Sequence, residues 1–347
     1  MKKTIYLKKD KSGYYIFGIK IALLFSLLST ICFYSSAGKQ ALITRRHTLS
    51  SDIKNIRIQV HQVHIRLLKM KGKKKEIKVQ YHKTLSIEEE DSTLIVSEKD
   101  FPRSEKYKEG LKKKPVMTVW ATRLPVKIGI FEGTVQINQF WKTDLALFVL
   151  GKGSINIKNT AGSLHIFQSS GDIGVQSHSG ELMIQSEDSR IRLRSCKGQM
   201  NISSFKGHLE VNKSNGRLFV QSFKAPLVLK HFTGRLDFRQ EKGGVYLKPL
   251  VGSVFGYSKE GEVRGVIRAN EVDIETQTGR IHLDFPYSRA WVTAETWEGR
   301  IFTPLYFNRI KTGGIDRSKG QLRGTKKKGS VSLKSHAGSI RVYQSIN

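Results

Sequence analysis

The sequence predicts an all-β chain: a β-solenoid, a single-stranded β-helix-like array of nine-residue Gly-x-apolar-x-apolar repeats, preceded by one N-terminal hydrophobic helix. Three observations predict it. From Gly153 to Gly279 a glycine or small residue returns every nine residues at 15 consecutive positions, with Ser189, Ala225 and Asn270 the only replacements for glycine. Two residues after each corner the side chain is always apolar, from Ile155 and Leu164 to Val272 and Ile281. Four residues after, 13 of the 15 are apolar, and Gly256 and Gly265 are the gaps. Apolar residues two apart bury one face of a short strand, and a fixed period with a glycine corner stacks that strand as successive coils. Such an array buries its core between neighbouring coils and presents long regular faces outside.

Residues 1–37 read as an export element. Lys2, Lys3, Lys8, Lys9, Lys11 and Lys20 stand against Asp10, and Ile21 to Ala37 then runs 17 residues without a charge. Basic followed by apolar is the order of a signal peptide or anchor. Ser35-Ser36-Ala37 offers a cleavage site after Ala37; uncleaved, residues 14–37 would span the membrane. In both cases the body lies outside the cytoplasm, in the cell envelope.

Residues 38–123 alternate apolar and polar in short pieces, as in Ile56-Arg57-Ile58-Gln59-Val60 and Ile77-Lys78-Val79-Gln80-Tyr81, which predicts two-sided strands joined by charged loops. The regular array covers 124–301, entered through Leu124-Pro125 and Gly133-Thr134-Val135. Residues 302–328 interrupt it with eight basic side chains against Asp316 alone, and read as a basic loop insertion. Two coils in nine-residue spacing, Gly329-Ser330-Val331-Ser332-Leu333 and Gly338-Ser339-Ile340-Arg341-Val342, close the chain over 329–347.

The corner glycine suits a turn that needs positive φ or close backbone approach. A serine often follows six residues later (Ser177, Ser186, Ser195, Ser204, Ser222, Ser258), placed to bond turn backbone. Phe205, Phe223 and Phe232, each seven after a corner, read as corner packing, and Cys196 in the same column as a small buried residue. Cys32 lies in the leader, so the two cysteines predict no disulfide.

The charge is the other informative feature. Lys+Arg number 60 and Asp+Glu 29, a formal net charge of +31 that draws polyanions. If one coil takes two repeats, 18 residues, the column five after the corner aligns Lys158, Gln176, Arg194, Asn212, Lys230 and Lys248; three repeats, 27 residues, would scatter it. An aligned ladder of like charge repels itself unless something anionic lies on it. Candidate contacts are therefore Lys158, Arg194, Lys230 and Lys248, together with Arg309, Lys311, Arg317, Lys319, Arg323, Lys326, Lys327 and Lys328 of the basic loop. No corner carries the Gly-Gly-x-Gly-x-Asp turn of calcium-binding rolls, and no metal or cofactor is expected. A β-helical carbohydrate-active enzyme would need clustered carboxylates, whereas the outward acids Glu210, Asp237, Asp273, Glu275 and Asp284 are sparse. Nucleic acid would satisfy the charge but not the exported start.

The order of leader, small strand region, Leu-Pro strand entry, Ser-Gly-x-apolar-x-apolar repeats and a final Gly-Ser-Val-Ser-Leu-Lys-Ser-His-Ala-Gly-Ser-Ile-Arg-Val resembles the bacterial DUF4097 family, whose members carry an adhesin label. The resemblance covers about residues 45–347. It departs after the glycine, where the family commonly has Asp and this chain keeps only Asp172. The resemblance implies an envelope location and transfers no catalytic residue. The reading is thus a non-enzymatic envelope protein presenting a basic solenoid surface to an anionic envelope polymer or membrane. The alternatives are a polyanion or nucleic-acid binder and a carbohydrate-active enzyme.

Overall fold

The computed structural model describes residues 43–48, 53, 55–69, 76–81, 85–90, 93–98, 116–121, 125–139, 144–286, 288–304, 306–323 and 328–345. The expected leader and hydrophobic helix lie outside them. Every described element is a β-strand, and among the described residues no helix is long and apolar enough to cross a membrane. The strands wind into a β-solenoid of about eight turns.

The coil takes two repeats. β9 (Lys197–Asn212), β10 (Asn215–Ser222), β11 (Leu227–Gln240) and β12 (Val245–Ser258) stack in parallel with Lys197, Asn215 and Thr233 in one line and Leu227 over Val245. The step is 18 residues, so alternate nine-residue repeats fall on opposite faces. Face A carries the repeats whose corners are 153, 171, 189, 207, 225, 243, 261 and 279; face B carries those at 162, 180, 198, 216, 234 and 252. β8 (Leu145–Arg194) winds continuously through both, above β7 (Val126–Asn138). On each strand the residues two and four after the corner are buried, as Leu182 and Ile184 on face B and Ile191 and Leu193 on face A. Each such aliphatic side chain removed from water contributes about 1.5–3 kcal/mol, and stacking makes the core continuous along the coils.

The corner glycines are dictated by the stacking itself. A Cβ on Gly216, at φ +123°, would lie 2.1 Å from the Gly198 carbonyl oxygen one coil below. The two gaps in the apolar column also have a cause: the ring of Phe238 occupies the space above Gly256, and Leu247 backs onto Gly265.

The serine column divides between the faces. On face B, Ser204, Ser222 and Ser258 are buried and donate to the corner carbonyls of Lys206, Ala225 and Gly261. On face A the equivalent residues Asn159, Ser177, Ser195, Lys213 and His231 take positive φ, so there the turn is made by backbone rather than by hydroxyl. The next residue then points inward, giving a buried column of Thr160, His178, Cys196, Ser214 and Phe232. Thr160 Oγ1 and His178 Nδ1 are 3.0 Å apart, and Cys196 N donates to Ser214 Oγ at 3.0 Å.

Antiparallel strands occupy both ends. At the N-terminal end β2 (Asn55–Lys69) lies on β7; β5 (Thr93–Glu98) and β6 (Val116–Ala121) lie on β2. β4 (Leu85–Glu90) pairs antiparallel to β5, β3 (Glu76–Tyr81) to β6, and β1 (Ile43–Thr48) to β3.

The C-terminal end does not follow chain order. β13 (Val263–Thr276) and β14 (Ile281–Asp284) are followed in sequence by β15 (Arg289–Thr296) and β16 (Ile301–Phe302), yet these do not stack on them. β19 (Lys328–Ser335) lies between β13 and β15, parallel to both, with Val331 beside Val272 on one side and Val292 on the other. β20 (Ile340–Tyr343) likewise lies between β14 and β16. The last repeats of the sequence are therefore inserted one layer inside the end. The segment expected as a basic loop holds a hairpin instead: β17 (Asn308–Thr312) pairs antiparallel to β18 (Ile315–Gln321), and β18 to β15. Such a cover protects the open edge that a solenoid otherwise presents.

Candidate polyanion-binding face

Because alternate repeats face opposite ways, the solenoid sorts its charge. Between residues 153 and 343 the outward positions of face A hold Lys158, Arg190, Arg192, Arg194, Lys230, Lys248, Arg264, Arg280, Arg300 and Arg341 against Asp172, Glu210, Glu262 and Asp284. The outward positions of face B hold Arg217, Arg235, Arg239, Arg317, Lys319 and Lys334 against Glu181, Asp237, Glu271, Asp273, Glu275 and Glu295. One face is strongly basic and the other is balanced in charge.

The ladder expected for an 18-residue coil is present in register: Arg194 lies beside Asn212, Asn212 beside Lys230, and Lys230 beside Lys248. Its repulsion is moderated from within. Neutral Asn212 separates Arg194 from Lys230, and Lys230 Nζ is 2.6 Å from Glu210 Oε1. That hydrogen bond holds the Glu210 carboxyl below the usual carboxylate range. Arg192 pairs with Asp172 at 3.2 Å. Among the described residues Lys158, Arg190, Arg194 and Lys248 form no ion pair.

The basic segment is placed elsewhere. Arg309 is committed to the protein: its Nε and Nη2 donate to the two carboxylate oxygens of buried Asp316 at 2.9 and 2.5 Å. Arg317 is bound to Glu295 at 2.8 Å, and the Arg323 guanidinium lies 4.7 Å from the Tyr306 ring centre. Lys311 and Lys319 are exposed without an ion pair among the described residues. Lys326 and Lys327 lie outside the described residues, and Lys328 opens β19 opposite Arg289. Of the described candidates, Lys158, Arg194, Lys230 and Lys248 lie on face A, Arg309, Lys311, Arg317 and Lys319 in the end hairpin, Arg323 just after it and Lys328 in β19.

Four arginines that sequence reading passed over complete face A. Arg264, Arg280, Arg341 and Arg300 come one from each of four successive strand layers, and all are exposed. Arg264, His282, Arg341 and Phe302 share one outward column; Arg280, Ser339 and Arg300 share the column beside it. The Arg341 guanidinium lies 5.0 Å from the Phe302 ring centre, and the His282 and Tyr343 rings are 5.0 Å apart. The signal for Arg264 and Arg280 was in the 18-residue spacing. Arg300 and Arg341 carry no such signal, because the inserted coil brings them there.

Face B offers other chemistry. Burial pushes the Asp237 carboxyl up, but the Arg235 and Arg217 guanidiniums outweigh this and hold it below the usual range. Phe255 stands in register between Asp237 and Asp273, so these acids do not meet across one cleavage site. Among the described residues no group of three or more His, Cys, Asp or Glu could hold a metal ion. The three phenylalanines part company: Phe232 is buried, while Phe205 and Phe223 stack outside at 4.8 Å beneath the ammonium groups of Lys206 and Lys224.

No family model and no curated protein matches the chain. Among solved structures it is similar to a "putative cell adhesion protein" from Clostridium sporogenes, at 10% identity and TM-score 0.20 over 88% of this chain and 100% of that one. A "putative adhesin" from Bacteroides fragilis matches at 13% identity and TM-score 0.33, covering 70% of this chain and 96% of that one. A "putative lipid binding protein" from Parabacteroides distasonis matches at 14% identity and TM-score 0.29, covering 71% and 98%.

Proposed function

We propose that the chain is a non-enzymatic cell-envelope protein of the DUF4097 kind, exported by residues 1–37, whose face A lies against an anionic envelope polymer or membrane surface. The observation that carries this is the unequal charge of the two faces. A protein that was merely basic for solubility would distribute its lysines and arginines on both; here the long-range field points one way. Lys158, Arg194, Lys230 and Lys248 belong to that contact.

The test is binding of the full chain, purified in detergent, to isolated sacculi and to anionic vesicles as salt is raised from about 50 to about 500 mM. Affinity should fall steeply with salt, and neutralising Lys158, Arg194 and Lys248 should weaken it more than neutralising Arg217, Arg239 and Lys334. Absent or salt-insensitive binding overturns the reading.

A further inference from the structure

We propose that the C-terminal end of face A is a site for a linear, carboxylate-bearing polysaccharide, gripped by a zigzag of Arg264, Arg280, Arg341 and Arg300. The proposal rests on the reading of face A given above and narrows it to one ligand class and one end of the solenoid.

Each of four adjacent layers supplies one guanidinium, taken alternately from two neighbouring columns, Arg280 and Arg300 standing just before β14 and β16. Adjacent strands are about 4.8 Å apart, so the row offers an anion contact at every layer along a straight line. None of the four is paired with a carboxylate of the described residues. The acids within the patch are Glu262 and Asp284, and Asp284 already accepts from the backbone N–H of Ser345 at 3.0 Å and from its hydroxyl. Alternation between columns keeps the guanidiniums from lying directly opposite one another, which is how a row of like charge can be held without a counter-ion in every gap. Four like charges drawn together by an inserted coil still cost stability, and a periodic polyanion offsets that cost.

Ligand chemistry follows from the residue types. Arginine, in contrast to lysine, presents a planar fork that matches a carboxylate through two parallel hydrogen bonds. Phe302, 45% exposed, and Tyr343, 44% exposed, stand within the same strands and offer apolar ring surface beside the charges. A sugar ring has an apolar face for such a ring and a carboxylate for the neighbouring fork. A bilayer would instead favour a continuous apolar patch, whereas here Phe302 lies against the Arg341 guanidinium and Tyr343 against the His282 ring.

The experiment measures binding of the full chain to polygalacturonate, to a neutral glucan and to phosphatidylglycerol vesicles. Three variants are compared: R264Q/R280Q/R300Q/R341Q, the same four changed to Lys, and K158Q/R190Q/R194Q/K248Q, which removes equal charge from the rest of face A. The expected result is binding to polygalacturonate and not to neutral glucan, weakened about tenfold or more by the first variant, clearly by the Lys variant, and less by the third. Equal losses in the first and third variants, or no loss in the Lys variant, overturn the site while leaving a basic face that binds polyanions. Binding to vesicles without binding to polygalacturonate overturns the ligand class in favour of membrane. Failure to bind any anionic surface overturns the function proposed for face A itself.

Discussion

Gly338 sits directly on Gly279, 59 residues earlier in the chain: a Cβ placed on Gly338 would be 1.9 Å from the Gly279 carbonyl oxygen. Gly299 in turn sits on Gly338, its Cβ position 2.0 Å from that carbonyl oxygen. The corner column therefore continues through the insertion in the order 261, 279, 338, 299, and Ser335 secures it by donating to the Gly279 carbonyl at 3.2 Å while accepting from Gly338 N–H at 2.8 Å.

Gly338→Ala should consequently destabilise the protein by about 1–3 kcal/mol, because backbone rather than a yielding side chain stands in the way. Gly174→Ala is the control, since its nearest neighbour is the Ile155 carbonyl oxygen at an ordinary 3.8 Å. Urea denaturation of the two variants measures the difference; equal midpoints would remove the close stacking.

Insertion also predicts an unusual exchange pattern. β19 is bonded on both sides although it lies near the C-terminus, whereas every residue of β17 is exposed and paired on one side only. Amides of Ser330 to Ser335 should exchange about two orders of magnitude more slowly than those of Asn308 to Thr312 in hydrogen–deuterium exchange. A C-terminal coil at the outer end would give fast exchange in both.

His178 makes the core sensitive to acid. Burial holds its pKa below the ordinary 6.5, against the opposing hydrogen bond to the Glu181 carbonyl. The folded imidazole thus binds protons less readily than the unfolded one, so its contribution is complete above pH 6.5 and is lost as pH falls from there through the lowered folded value. The urea midpoint should drop between about pH 7.5 and about 5.5, and drop less in His178→Gln. His282 shifts the same way, by burial and the charges of Arg264 and Arg341, so a residual slope belongs to it.

Cys196 should be inert while the chain is folded. Its thiol is pushed up to about 11 by burial, and Sγ is turned toward the carbonyls of Val175 and Arg194. Iodoacetamide at about pH 8 should label the Cys196 peptide, identified by mass spectrometry, only after denaturation.

The Arg309–Asp316 fork closes the end hairpin. The Arg309 hydrogen bond holds the buried Asp316 carboxyl below its usual range, so the pair stabilises above the ordinary carboxylate pKa and is lost as pH falls through the lowered one. Asp316→Ala also removes the acceptor 3.3 Å from Ile301 N–H. A loss of about 1–3 kcal/mol is expected, discounted toward the lower end because Arg309 is half exposed. Arg309→Gln should leave polyanion binding nearly unchanged, since its guanidinium is already occupied.

The sequence by itself determined the scaffold. A strict nine-residue glycine period with apolar residues two and four later admits one physical solution, a stacked strand with a tight corner, and Leu182, Ile191 and Leu218 are buried where that pattern puts them. Only the tertiary structure decided the rest. Nine-residue periodicity is blind to whether a coil takes two repeats or three, and that choice alone separates Ser177 from Ser186, Phe232 from Phe205, and the basic columns from the charge-balanced ones. Nor could local pattern reveal that 328–343 turns back between two earlier layers. Strand pairing is satisfied equally well by any parallel neighbour of matching register, so the order of layers is set by how the whole end packs, and Arg341 reaches Arg264 and Arg300 by that route alone.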